Sequence, residues 1–215
     1  GGVLEVLVEN LPVECEVQAH LRELERALLG QRRVLREVSL PTGTRQLLDD
    51  HSQGPRVERE NARVRLRVGA AQRLLLAGYS SVAHFCAEFG RGLGFEVILC
   101  EPRDEVLDGV VLNGIEVRRE LPSEFIANGG CHADTAVVAL THDPRLDDMA
   151  LLTALQSEAF YVGALGSRAN SEKRKARLLS LGLGERQVQR LHGPIGLPIG
   201  SRTPAEIAVS IAAEL

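Results

Sequence analysis

The chain has 215 residues, 44% hydrophobic and 25% charged, an ordinary globular balance with room for one large domain or a normal domain beside a small one. Its 29 acidic and 25 basic residues leave a net charge of −4, which argues against a general nucleic-acid binder of the basic type. No apolar run reaches membrane-spanning length and no secretory leader opens the sequence, so neither nucleic acid nor membrane is expected as a partner.

"GVLEVLVE" alternates apolar and polar residues, the pattern of a half-buried strand. The chain opens at Gly1-Gly2 inside that pattern, so residues are expected upstream of it. "EVQAHLRELERALLG" carries apolar residues at helical spacing, Val17, Leu21, Leu24 and Leu28, with Gly30 as a stop. "RRVLREVSL" and "ARVRLRV" read as antiparallel strands with one wet face. The stretch between them, "PTGTRQLLDDHSQGPRVERE", reads as a loop or as a junction. Residues 1–68 are therefore expected to form a small, incomplete α+β segment.

After Gly69 the pattern changes. "RLLLA", "FEVILC", "TAVVAL" and "FYVGAL" are short apolar runs of buried-strand type. Helical stretches separate them: "SVAHFCAEFGRGL", "PRLDDMALLTALQSE", "SEKRKARLLSL" and a final helix after Thr203. Strands alternating with helices predict an α/β fold over 69–215, a doubly wound parallel sheet with helices on both faces.

The four cysteines, Cys15, Cys86, Cys100 and Cys131, form no C-x-x-C and no zinc-type spacing. Cys86 and Cys100 lie in apolar runs as small buried hydrophobes, and a reducing cytoplasm fits this usage. Cys131-His132 stands in a Gly-rich loop, either an ordinary loop pair or a reactive thiol.

In an open α/β sheet, ligands bind beyond the carboxyl ends of the strands. Four loops lie there. The first, Gly78-Tyr79-Ser80-Ser81-Val82-Ala83, occupies the place of the dinucleotide fingerprint but carries Ser80 where a second glycine should meet pyrophosphate. The second, Glu101-Pro102-Arg103, puts a carboxylate in the usual ribose position. In the third, Thr141-His142-Asp143-Pro144, Asp143 or Thr141 would cap a helix, and His142 could face the crevice as acid, base or ligand contact. The fourth, Gly166-Ser167-Arg168, leads into a basic run with Lys173, Arg174, Lys175 and Arg177. A solvated helix face is the default for that run, with Arg168 the one suited to phosphate.

"GPIGLPIGSRTPAEIAVSIAAEL" closes the chain. Thr203-Pro204-Ala205-Glu206 is a capping box with Pro at the first helical position. The glycines before it allow close passage to another surface, either a tight crossover packed on the sheet or a ligand site. Ser201 and Arg202 at the capped end could hold an anion.

At these motifs the chain resembles the XdhC/CoxI family, accessory proteins that mature xanthine dehydrogenase and related molybdenum hydroxylases. The stretches that carry the resemblance are "GFEVILCEPR", "TAVVALTHDPRLDDMALLTAL", "SEAFYVGALGSR" and "RLHGPIGLPIGSRTPAEIAVSIAAE". They cover most of the chain from about Leu74 onward, and "GGVLEVLVE" is similar to the segment that ends the family's N-terminal domain. The family's Gly-Gly-Cys-containing N-terminal region does not occur here, and the first loop departs from its usual Gly-rich form.

The resemblance implies a Rossmann-type C-terminal domain and a molybdenum-cofactor chaperone rather than a catalyst with turnover. Such a protein binds molybdopterin as cargo, in some cases as the cytosine dinucleotide. It holds the cofactor while a cysteine desulfurase supplies sulfur, then delivers it to an apo molybdenum hydroxylase of the xanthine dehydrogenase or aldehyde oxidase type. The contacts expected here are Gly78, Ser80 and Ser81, then Glu101, then Thr141, His142 and Asp143, then Gly166, Ser167 and Arg168, and finally Ser201 and Arg202. No metal ligand and no catalytic residue is assigned. A homodimer is compatible with the family.

Two other readings stay open. One is an oxidoreductase using NAD(P) or flavin on the same fold, against which no Y-x-x-x-K pair exists: Ala83 and Leu165 follow Tyr79 and Tyr161 at the needed offset. The other is a docking module that binds the oxidoreductase and no small molecule.

Overall fold

The computed structural model describes residues 5–12, 14–29, 32–50, 56–69, 72–141 and 143–215. The chain separates into two compact units, Gly1–Ala70 and Ala71–Leu215.

Among the described residues, the first unit has one helix, α1 (Cys15–Leu28), and four strands: β1 (Val34–Ser39), β2 (Arg45–Asp49), β3 (Val57–Glu60) and β4 (Arg63–Val68). They form an antiparallel sheet in the order β2-β1-β4-β3. Val34, Val38 and Val64 of the central strands are buried, as is Ala27 of α1. The loop expected between the central strands instead contributes both edges: β2 pairs with β1 from Val34↔Asp49 to Val38↔Arg45, and β3 pairs with β4. Edge strands need backbone partners more than apolar faces, so "RQLLD" and "VERE" show no alternation to read. Side chains lock the pairing. The buried Glu37 carboxylate accepts from Gln46 Nε2 of β2 at 2.9 Å and from Arg65 Nε of β4 at 2.9 Å.

Of the strand expected over 2–9, the described residues 5–9 have no regular structure. Val6 and Val8 of the alternating pattern are 70% and 86% exposed. The segment is held by charge instead: Glu9 accepts from Arg36 Nη1 and Nη2 at 2.7 and 2.8 Å and from Arg45 Nε at 2.9 Å.

The second unit is the expected α/β layer structure. Its strands are β5 (Arg73–Ala77), β6 (Glu96–Cys100), β7 (Glu116–Arg118), β8 (Thr135–Ala139), β9 (Tyr161–Ala164) and β10 (Leu191–His192). Its helices are α2 (Ser81–Gly92), α3 (Pro122–Phe125), α4 (Pro144–Ala154), α5 (Arg168–Ser180), α6 (Glu185–Val188) and α7 (Pro204–Glu214). All strand pairs are parallel, in the order β10-β9-β8-β5-β6-β7. Counted within the unit this is 3-2-1-4-5-6 reversed in direction, the doubly wound order of dinucleotide-binding folds. The two missed strands, β7 and β10, have three and two residues, too few for any period.

Alternate residues of each central strand enter opposite layers. Leu75, Ala77, Ile98, Val137 and Ala139 pack with Ala150, Leu151 and Leu178 of α4 and α5. Leu74, Leu76, Val97, Leu99 and Val138 pack with Ala83, Cys86, Ala208 and Ile211 of α2 and α7. Burial on both faces explains why these strands read as unbroken apolar runs. No helix among the described residues is long and apolar enough to cross a membrane.

Leu75 is fully buried at the centre of its layer. Leu75→Ala is expected to cost about 3 kcal/mol, read as a lower urea midpoint for the second unit.

Candidate functional site

Helices α2, α4 and α5 each begin directly beyond the carboxyl end of a strand, and each is capped by a residue that the sequence marks as a site candidate. Ser80 Oγ accepts from Ala83 N at 3.2 Å, Asp143 Oδ1 from Arg145 N at 2.9 Å, and Ser167 Oγ from Asn170 N at 3.2 Å. Each cap satisfies an amide that the first helical turn would leave unpaired. Ser81 and Arg168 are the first residues of α2 and α5 and are exposed. Gly166 precedes the Ser167 cap and is also exposed. His142 lies outside the described residues.

The capping box of α7 forms as its spacing predicts. Thr203 Oγ1 accepts from Glu206 N at 3.3 Å, while the Glu206 carboxylate accepts from Thr203 N at 3.1 Å and from Arg202 N at 2.7 Å. Those amide bonds hold the Glu206 carboxyl below its ordinary value. Ser201 Oγ donates to the Glu206 carbonyl at 3.1 Å, which gives Ser201 a structural partner. The Arg202 side chain is exposed.

The glycines before α7 serve packing. Gly196, at φ +98°, passes so close to α7 that a Cβ there would lie 2.4 Å from Ser210 Oγ. Leu197 N donates to the Ser210 carbonyl at 3.0 Å, and Ile195 N donates to the Ala164 carbonyl at the end of β9 at 3.1 Å. The surface that this segment approaches is the protein's own helix and sheet.

At the centre of the sheet, Gly78 and Thr141 meet across the ends of β5 and β8. Gly78 is buried at φ +86°, and a Cβ there would lie 1.9 Å from Thr141 Cγ2. Thr141 Oγ1 donates to Asp147 Oδ1 at 2.7 Å and accepts from Asp143 N at 3.0 Å. Arg174 then joins this cluster, donating from Nη2 to Asp147 Oδ2 at 3.0 Å, from Nε to Asp148 Oδ1 at 3.2 Å and from Nη1 to the Leu165 carbonyl at 2.9 Å. Arg174 therefore departs from the solvated basic run in which the sequence places it. It is 7% exposed, turned inward from α5 because two carboxylates of α4 require a buried partner. Burial pushes the Asp147 carboxyl up, although Thr141 and Arg174 draw it back.

Glu101 ends β6 with no exposed surface. Its Oε1 accepts from Arg103 N at 3.0 Å and Arg103 Nε at 2.7 Å; its Oε2 accepts from Tyr79 N at 2.7 Å and Arg103 Nη2 at 2.9 Å. Burial alone would raise this carboxyl, but the Arg103 guanidinium and the two amides hold it below the ordinary value of 4.5. Beside it opens a crevice of about 610 Å³ lined by Arg103, Asp143, Pro144 and Arg145. Its lining comes from the loops after β6 and β8, the strands that flank β5 where the chain order reverses, and it is broadly open to solvent. Arg103 and Arg145 line it, yet the sequence offers little to mark Arg145 beyond its place in the first turn of a capped helix.

Burial pushes the Cys131 thiol up to about 11 and those of Cys86 and Cys100 to about 12, away from activation. Of the two readings of Cys131-His132, the ordinary loop pair is the one this burial supports.

Residues 74–215 match the family described as the XdhC Rossmann domain. The chain belongs to the XdhC family. Among its relatives is the Uncharacterized protein YqeB of Escherichia coli K12, 28% identical over 163 residues that make up 68% of this chain and 27% of that protein. The molybdenum cofactor insertion chaperone PaoD of the same organism is 32% identical over 89 residues, 41% of this chain and 28% of PaoD. A probable xanthine dehydrogenase subunit of Bacillus subtilis 168 is 29% identical over 150 residues, 69% of this chain and 43% of that one. The chain thus spans less than half the length of these curated relatives. A crystal structure titled as a xanthine dehydrogenase from Bacillus halodurans superposes with a TM-score of 0.66 at 23% identity, covering 94% of this chain and 64% of that one. At that identity the likeness speaks for the fold.

Two consequences of this XdhC geometry can be measured. Gly78→Ala is expected to destabilise the protein by about 2 kcal/mol or more, through positive φ and the clash with Thr141. Adding Thr141→Ser, which removes Cγ2 and keeps the hydroxyl, should recover part of that loss in a double-mutant cycle of urea melts. Glu101, with its depressed carboxyl, contributes stability that is present above about pH 5 and lost as pH falls through the folded-state value. The stability gap between wild type and Glu101→Gln should therefore shrink as pH falls below the ordinary carboxyl value of 4.5 in urea melts.

Proposed function

We propose that this chain is the Rossmann part of a molybdenum-cofactor insertion chaperone. Its cargo is a molybdopterin-type cofactor, carried while a cysteine desulfurase supplies sulfur and then passed to an apo hydroxylase of the xanthine dehydrogenase or aldehyde oxidase type. The observation that carries this reading is the arginine-lined crevice at the crossover of the sheet, in a chain of the XdhC family whose relatives include PaoD. The cargo is anionic through its phosphate and rich in hydrogen-bonding groups through its pterin. Guanidinium donors and a helix start suit the phosphate. The candidate contacts at Ser80, Ser81, Asp143, Gly166, Ser167, Arg168, Ser201 and Arg202 extend this reading, and the exposed Arg168 and Arg202 add cations to Arg103 and Arg145. Four free cysteines fit work in a reducing cytoplasm.

The strand order favours one second reading, a dinucleotide-dependent oxidoreductase. Two features speak against it. Ser80 stands where a second glycine should meet pyrophosphate, and the ribose-type carboxylate is engaged by Arg103.

The test is protein purified from a cofactor-producing host, with bound pterin oxidised to its fluorescent form and checked for cytidine. Near-stoichiometric pterin is expected, and cytidine beside it would fix the dinucleotide form. Arg168→Ala is expected to weaken retention about tenfold, the scale of one charge-assisted hydrogen bond, without changing the melt; Arg202→Ala acts in the same direction. No pterin, even after loading with fresh cofactor, would overturn cargo carriage and favour the docking module.

A further inference from the structure

We infer that Arg103 and Arg145 form a phosphate-reading end of the crevice, with Glu101 as the positioning residue that aims Arg103, so that the site selects a phosphorylated ligand over a bare ribose diol. This deepens the cargo reading and rests on it for the identity of the ligand, though not for its chemistry.

A carboxylate at the end of the second strand of this fold ordinarily accepts ribose hydroxyls. Glu101 has no capacity left to do so. Each of its oxygens already accepts two hydrogen bonds, between 2.7 and 3.0 Å, and the group has no exposed surface. A carboxylate offers about four acceptor directions, and all four are filled. A diol entering here meets Arg103 instead, whose side chain is 35% exposed.

Arg103 presents a directed set of donors. Of its five N–H groups, the one on Nε and one on Nη2 are turned to Glu101. Nη1 and the second Nη2 hydrogen remain on the outer edge of the same rigid plane. That fork matches the spacing of phosphate oxygens, and its orientation is set in advance by the bidentate bond behind it. Arg145 lines the same crevice from the first turn of α4, and the neighbouring carboxylate, Asp143, has Oδ1 occupied by Arg145 N. The formal charges of Glu101, Arg103, Asp143 and Arg145 cancel. Selection therefore comes from oriented donors more than from net charge, and the affinity is modest, as suits a cargo that must leave.

The test is calorimetric titration of the full chain with CDP and with cytidine, which differ only in the group the arginines read. CDP is expected to bind at least tenfold more tightly than cytidine. Arg103→Gln should remove about tenfold of the CDP affinity and leave cytidine unchanged. Arg145→Gln should act in the same way, and it supplies an independent measurement if the first variant folds poorly. Glu101→Gln should lower the CDP-to-cytidine ratio, whereas a purely structural role would weaken both ligands alike. Equal affinity for the two ligands, no binding of CDP, or an unchanged ratio in both arginine variants would overturn the proposal. Pterin retention, assayed separately, distinguishes the two readings. Retained pterin with an unchanged ratio removes only the phosphate end. Arginine-dependent CDP binding without pterin leaves the phosphate end standing and removes the cargo.

Discussion

The carboxyl edge of the second unit depends on one buried carboxylate. Asp147 faces Thr141 on one side and Arg174 on the other, and Arg174 continues to Asp148 and to the carbonyl of Leu165. The loops after β8 and β9 are thereby fixed to α4 and α5 through a single chain of hydrogen bonds. Such a group contributes little net stability when whole, because desolvation offsets much of the attraction. Removing one member is another matter, since it strands a buried charge. The network's value is geometric: it sets where Thr141 lies, and Thr141 in turn packs against Gly78 at the end of β5.

Most of this unit is legible in the sequence because its central strands are buried on both faces. "RLLLA", "FEVILC", "TAVVAL" and "FYVGAL" keep their polar residues to the first two positions and are apolar beyond them, and the helix starts carry their own caps. What is hidden has little side-chain signature. β2 and β3 are edges held by backbone pairing, and β7 and β10 are too short for a period. Residues 2–9 alternate like a strand, yet Glu9 is captured by Arg36 and Arg45 rather than by a ladder.

The loops at the strand ends are legible in the sequence, and the role of their residues less so, because a polar residue there can serve its own helix. Ser80, Asp143 and Ser167 turn their oxygens to their own helices. Arg174, written among solvent-facing cations, is an interior group because its partners lie 26 and 27 residues earlier in the chain. Pairings at that separation are set by packing of α4 against α5, which local pattern does not encode.

The contact between Gly78 and Thr141 bears on how this framework could be repurposed. A β-carbon at position 78 could enter only if the Thr141 methyl moved, and the Thr141 hydroxyl is tied to Asp147. The choice of residue at the end of β5 is thus coupled to β8 and to the network behind it, so the two strand ends can change only together.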